Sequence, residues 1–274
     1  MRPPAAPIAR AAWRQASWQP GTRTIAEEVA VALTYNRTTF AVMMATPADL
    51  GDFAVGFSLA EGVVDRANEI EELETVPGGD GVELRMWIGP ARADALGARR
   101  RALAGPTGCG LCGLDSLAAA LRPLPPVISE LRITPADVAA AIASLAPAQA
   151  LGQATRAVHA AGFWRVGQGL VALREDVGRH TALDKLAGAL ARADEPADGI
   201  IVMTSRVSVE LVQKAARMGA PVLAAVSAPT GLALRAAEAA GITLAAIARD
   251  DGFELFTHPG RVDGAGFGAR AAPG

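Results

Sequence analysis

The chain has 274 residues, of which 51% are hydrophobic and 20% charged, and a formal net charge of −2. That length allows one large domain or two smaller ones with a sizeable core, and the composition excludes a disordered chain. A near-neutral balance excludes nucleic-acid binding driven by overall basic character. Positive charge rests almost wholly on arginine, with lysine only at Lys185 and Lys214. Residues 1–20 contain no apolar core of a secretory signal, and no apolar run reaches membrane-spanning length. A cytoplasmic protein without a membrane partner is the expectation.

Residues 1–22, with their prolines and arginines, read as a loose tail. Glu28 to Tyr35 and Thr39 to Met44 alternate around Asn36-Arg37 and predict a β-hairpin. Thr46-Pro47-Ala48-Asp49 reads as a helix start with Thr46 as N-cap, leading into a helix from Leu50 to Ala60 whose Leu50, Phe53 and Phe57 face a core. A second strand pair, Ile70–Val76 and Val82–Ile88, flanks Gly78-Gly79-Asp80. An Ala/Arg-rich helix from Ala91 to Leu103 follows, and Asp115 or Ser116 can cap a short helix to Leu121. Arg122-Pro123-Leu124-Pro125-Pro126 is the strongest linker signal. The predicted organisation is therefore a flexible tail (1–22), an N-terminal α+β subdomain (23–122), an α/β subdomain (127–262) and a second tail (263–274).

In the second half, Thr134-Pro135-Ala136-Asp137 opens a helix to Leu145. Strands are predicted at Thr155–Val166 and Leu170–Arg174, and a helix at Thr181–Leu190. Strands at Gly199–Met203, Pro221–Val226 and Ile242–Ile247 then alternate with helices at Ser208–Met218 and Thr230–Ala240. This pattern implies an α/β fold with a mainly parallel sheet. Ligands gather beyond the C-terminal strand ends of such sheets. Here those ends are Thr204-Ser205-Arg206, Ser227-Ala228-Pro229-Thr230 and the segment from Ala248 to Gly252.

Three clusters carry chemistry. Cys109 and Cys112, the only cysteines, form a C-x-x-C pair among Gly105, Gly108, Gly110 and Gly113, downstream of Arg99, Arg100 and Arg101. Glycine leaves the sulfurs uncovered, and guanidinium charge favours the reactive thiolate. Half a zinc site would need further soft ligands, for which only His159, His180 and His258 are available. A thioredoxin-like pair belongs at a strand-to-helix junction, whereas this pair follows a helix. Zinc deamination is excluded because no histidine precedes the cysteines and no H-x-E is present. Spacing alone leaves an exposed transfer thiol and these structural readings open. The second cluster, Arg174-Glu175-Asp176-Val177-Gly178-Arg179-His180, continues to Asp184-Lys185. It is either a capped helix with solvated ion pairs or a site in which Arg179 and Lys185 hold an anion while Asp176 orients His180. The third, Ser205-Arg206 with Lys214, suits phosphate at a helix N-terminus.

Taken together, Thr107-Gly108-Cys109-Gly110-Leu111-Cys112-Gly113, the Glu175–Lys185 run, Ser205-Arg206 with Lys214, Phe53-Ala54-Val55-Gly56-Phe57 with Glu61-Gly62, and Thr257-His258-Pro259 with Arg261 resemble the FdhD family of formate dehydrogenase accessory sulfurtransferases. The resemblance covers about residues 25–262. It implies a sulfur carrier that accepts sulfane sulfur from a cysteine desulfurase and passes it to the molybdenum or tungsten bis(molybdopterin guanine dinucleotide) cofactor of formate dehydrogenase. It further implies a C-terminal half similar to the cytidine deaminase fold with a mixed sheet, a homodimer, a persulfide on Cys109 assisted by Cys112, and no tightly bound metal. The family's cofactor-binding segment falls on Ile247-Ala248-Arg249-Asp250-Asp251-Gly252, to which Arg206, Lys214 and His180 are added as candidate contacts. Asp251 departs from the family pattern, which has a basic residue or glycine there. The competing reading is a non-catalytic chaperone that binds the nucleotide cofactor and needs neither cysteine.

Overall fold

The computed structural model describes residues 1–79, 81–102, 124–249 and 251–266. Two sheets share the body. In the first, β3 (Val29–Tyr35) and β4 (Thr38–Ala45) form a hairpin, and β5 (Ile70–Gly78) and β6 (Gly81–Ile88) form another. Parallel pairing of β3 with β6 joins them in the order β4-β3-β6-β5. Asn36 and Arg37 both have positive φ, the conformation a two-residue hairpin turn of matching twist requires. Helix α1 (Leu50–Ala60) covers one face, packing Phe53 and Phe57 onto Val31, Leu33, Leu84 and Met86. Helix α2 (Pro90–Ala102) follows β6.

Helix α3 (Pro135–Ala143) begins with the anticipated box: the Thr134 hydroxyl accepts from the Asp137 N–H, and the Asp137 carboxylate accepts from the Thr134 N–H. Two short helices, α4 (Leu145–Ala148) and α5 (Ala150–Thr155), lead to the second sheet. Its members are β7 (His159–Arg165), β8 (Gly169–Asp176), β9 (Ile200–Met203), β10 (Val222–Ala225), β11 (Thr243–Arg249) and β12 (Gly252–Thr257), in the order β12-β11-β10-β9-β7-β8. Helices α6 (Arg179–Arg192), α7 (Val209–Met218) and α8 (Gly231–Ala240) pack on it, burying Leu183, Leu186, Leu211, Val212 and Ala237 against Ile201, Leu223 and Leu244. Gly219 and Gly241 end α7 and α8 in the left-handed region.

Four features differ from the sequence expectation. Residues 1–22 are not a tail: β1 (Ala5–Arg14) and β2 (Ser17–Ala26) pair antiparallel over their full length. Their turn, Gln15-Ala16, takes positive φ at both residues without the Asn or Gly that advertises such turns. The large sheet is mixed, as the family resemblance implies, rather than mainly parallel as the strand–helix alternation alone suggested. β9, β10 and β11 run parallel, while β12 pairs antiparallel with β11, and β7 pairs antiparallel with both β9 and β8. The strand anticipated from Thr155 starts at His159, because α5 runs to Thr155 and Arg156 turns the chain in the left-handed region. Finally, Thr46 does not cap α1. Asp49, at φ 52°, occupies that position without a side-chain cap, and Thr46 bonds to the other half of the molecule.

The two halves meet where α1 crosses α6. A Cβ on Gly56 would lie 1.7 Å from the Asp184 carbonyl oxygen, and one on Gly188 would lie 1.9 Å from that of Asp52. The helices therefore touch backbone to backbone, which only glycine permits. Asp52 strengthens the contact by accepting from Arg174 at 2.8 Å and from Arg192 at 2.5 Å.

Candidate functional site

The site is built from the strand-to-helix turn after β8 and from the C-terminal ends of β9, β10 and β11. Glu175, at the end of β8, accepts from the N–H groups of Leu151 and Gly152 at 2.9 and 2.7 Å, supplying the anion that the first turn of α5 lacks. Asp176 is fully buried. One carboxylate oxygen accepts from Gly178 N–H at 2.7 Å, and the other accepts from Thr46 N–H at 2.9 Å and pairs with Lys185 Nζ at 2.7 Å. Lys185 also donates to the Thr46 carbonyl at 2.9 Å, and the Thr46 hydroxyl accepts from Val177 N–H. Burial pushes Asp176 up and Lys185 down, each opposed by the other's charge. Of the two readings of this cluster, the one in which Lys185 holds an anionic ligand and Asp176 orients His180 does not fit these contacts. Both charges are consumed in fastening Thr46, and neither reaches solvent.

His180, the second residue of α6, faces α7 instead. Its Nε2 is 3.4 Å from Ser208 Oγ and 4.0 Å from Glu210 Oε2. Burial, together with the positive charges of Arg179 and Lys214, lowers its pKa to about 4, so the ring is neutral at pH 7. Lys214 projects from α7 to buried Asp184, donating to Oδ1 at 2.5 Å. Burial raises Asp184 to about 6 against that attraction. Arg206 is exposed in the turn between β9 and α7 and close enough to bear electrostatically on His180. Arg179 Nε and Glu210 Oε2 are buried without a hydrogen-bond partner among the described residues. A polar ligand satisfies groups of this kind.

Main-chain bonds stitch the three loops at the strand ends together. Val226 N–H donates to the Met203 carbonyl, Val207 N–H to that of Ala228, and Thr230 N–H to that of Val207. At the end of β11 the ladder to β12 shifts register between Ala246 and Arg249. Ile247 stands in the bulge at φ 55°, a conformation costly to a β-branched residue. Its N–H meets the Ser227 carbonyl, and the Arg249 guanidinium donates to the carbonyls of Val226 and Ala248. Ala248 is buried, whereas Asp251 and Gly252 are exposed.

The structure thus gathers His180, Arg206 and Lys214 around the α6 and α7 N-termini, and sets the Ile247–Gly252 segment at the end of a strand in the same sheet. Lys214 is engaged by Asp184. Cys109, Cys112 and Asp250 lie outside the described residues. Sequence reasoning passed over Ser208, Glu210 and the strain at Ile247. A hydroxyl at a helix N-cap followed by an acid in the first turn was the available signal for the first two. Among the described residues, no cluster of three or more His, Cys, Asp or Glu is arranged to hold a metal, and no helix is long and apolar enough to cross a membrane.

Fold and site together define an α/β protein of two packed sheets, with a cluster of Arg179, His180, Arg206, Glu210 and Lys214, in which Arg179 Nε and Glu210 Oε2 lack partners among the described residues, near the strand-end edge of the larger one. The chain belongs to the FdhD/NarQ family, whose profile matches residues 26–263. It is 52% identical over 257 residues to "Sulfur carrier protein FdhD" of Agrobacterium fabrum, covering 93% of this chain and 95% of that one. The protein of the same name from Brucella abortus is 54% identical over 253 residues, covering 92% and 94%. A crystal structure from Desulfotalea psychrophila, of a protein provisionally named a formate dehydrogenase accessory protein, superposes with a TM-score of 0.76. It is 24% identical and covers 95% of this chain and 100% of that one, a likeness of fold.

Proposed function

We propose that the chain is a sulfur carrier required for formate dehydrogenase activity, acting as a homodimer in the cytoplasm. It takes sulfane sulfur from a cysteine desulfurase and delivers it to the molybdenum or tungsten bis(molybdopterin guanine dinucleotide) cofactor, which is its substrate. The observation that carries this reading is identity above 50%, over more than nine-tenths of both chains, to two proteins named sulfur carriers. In the first step the Cys109 thiolate attacks the outer sulfur of the desulfurase persulfide. A new S–S bond forms on Cys109, the old one breaks, and the desulfurase thiolate leaves. Cys112 assists.

The charged groups near the strand ends support an anionic acceptor. Arg206 and Arg179 supply charge at the α7 and α6 N-termini, and neutral His180 offers a ring nitrogen. The bulge at Ile247, beside Arg249 and Gly252, takes main chain out of the ladder and leaves it available to the nucleotide. Lys214, locked to Asp184, positions α7 against α6 in place of touching phosphate.

The test is mass spectrometry of the Cys109 peptide after incubation with a cysteine desulfurase and cysteine. A gain of about 32 Da, one sulfur atom, is expected. Cys109→Ala should lose that adduct and formate dehydrogenase activation while retaining guanine nucleotide binding by calorimetry. Full activation by a variant with both cysteines replaced by serine would refute transfer and leave a cofactor chaperone.

A further inference from the structure

Arg179 and Glu210 stand near each other in the first turns of α6 and α7, and each keeps one polar atom in reserve. Arg179 Nε and Glu210 Oε2 are buried, and neither bonds the other or any further described group. Burial pushes the Glu210 carboxyl up. Hydrogen bonds from Ser208 and from its own N–H, with the charge of Arg179, outweigh burial and bring it below the ordinary carboxylate value. Glu210 is therefore ionised at pH 7, and those bonds still leave Oε2 free. The Glu210 side chain is 32% exposed and that of His180 33%, so the cluster opens to solvent.

An ionised acceptor and a cationic donor, both unsatisfied, call for a ligand that offers hydrogens and lone pairs side by side. A phosphate satisfies Arg179 and is repelled by Glu210. A cation does the reverse. Guanine carries both along its edge: N1–H and the N2 amino group donate to a carboxylate, and O6 and N7 accept from a guanidinium. Adenine turns the lone pair of N1 toward the carboxylate and is repelled. We infer that Glu210 selects guanine, its Oε2 accepting from the N1–H and amino donors while Arg179 donates to O6 or N7. The inference rests on the proposed guanine dinucleotide acceptor and adds the residue that tells its base from others.

An acid in the first turn of a helix also complements the helix dipole. That role accounts for the bonds from Ser208 and the Glu210 N–H, but not for the two orphan atoms. Reach agrees as well. β9, which leads into α7, and β11 lie two strand spacings apart, about 10 Å. A nucleotide separates its base edge from its diphosphate by a similar distance. A base held at Glu210 thus leaves the diphosphate within range of Arg206 and the end of β11.

The experiment is calorimetric titration of the full chain at pH 7 with GDP, IDP, ADP and xanthosine diphosphate, with far-UV circular dichroism as the folding control. The wild type should bind GDP at least tenfold tighter than ADP, or than IDP, which lacks the amino group. Glu210→Gln keeps the shape but puts an amide donor where an acceptor stood. It should lose at least tenfold in GDP affinity and bind xanthosine diphosphate, which has a carbonyl in place of the amino group, more tightly than GDP. A carboxylate serving only the helix would leave the order of preference unchanged. Equal wild-type affinity for GDP and IDP, which needs no variant, or a Glu210→Gln protein that still prefers GDP to xanthosine diphosphate, would overturn the inference. Binding without base preference removes this inference alone, whereas a chain that binds none of the four nucleotides removes the proposed acceptor with it.

Discussion

Replacing Lys185 by methionine tests how Thr46 ties the halves together. The variant leaves Asp176 buried with two N–H donors, from Thr46 at 2.9 Å and Gly178 at 2.7 Å, and no cation, while the Thr46 carbonyl loses its donor. Removing one member of a buried pair costs about 3–5 kcal/mol. The two surviving bonds, and the ability of Asp176 to take up a proton, place the loss at about 3 kcal/mol at pH 7. For a chain of this size that lowers the melting temperature by roughly 6–12 °C.

The sign with pH follows from the same carboxyl. In the variant its folded pKa lies above the unfolded value, so the folded state binds the extra proton. The deficit is therefore smallest at acid pH and grows as pH rises through that raised pKa. Adding Asp176→Asn, which keeps an acceptor without the charge, should recover at least about 1 kcal/mol. Urea unfolding at pH 5 and 7 reads all three quantities. A loss under about 1 kcal/mol at pH 7, or strict additivity of the two substitutions, would refute the claim that this ion pair holds the halves together.

Gly56→Ala should destabilise by at least the 1–3 kcal/mol of ordinary overpacking, because backbone obstructs the new methyl. Gly78→Ala, with nothing within 4 Å, should be nearly neutral in the same melts. His180 and Asp184 oppose each other in acid. Lowered to about 4, His180 contributes stability present above its ordinary pKa near 6.5 and lost as pH falls toward 4. Asp184, raised to about 6, contributes stability present below its ordinary 3.8 and lost as pH rises through 6. His180→Gln removes the first contribution alone, so its stability relative to wild type should climb between pH 6.5 and 4. A flat difference profile in urea melts would contradict the burial of the ring.

Elements whose signals are local were legible in the sequence. The Asn36-Arg37 turn, the Thr134–Asp137 box, the glycine stops of α7 and α8 and the three parallel strands each depend on a few neighbouring residues. What escaped depends on partners distant in the chain. Thr46 has every local mark of an N-cap, yet its N–H and hydroxyl bond to Asp176 and Val177, some 130 residues away. Lys185 reads as a solvated helix position because nothing local reveals that α1 and the segment before it roof it over. β12 was passed over because its polar alternation, Glu254 between Phe253 and Leu255, makes sense only as an edge paired to β11. Of the candidate site, His180, Arg206 and the Ile247–Gly252 segment were suggested by motif. The engagement of Lys214 with Asp184 and the unsatisfied atoms of Arg179 and Glu210 required coordinates.

The crossing at Gly56 and Gly188 bears on how the molecule can move. Two helices locked through their main chains have no compliant side-chain layer to shear across, so that crossing cannot serve as a hinge. Under the proposed function, cofactor capture would then rest on rearrangements of segments at the strand ends while the body keeps its shape. Small-angle scattering with and without a guanine nucleotide should return the same radius of gyration.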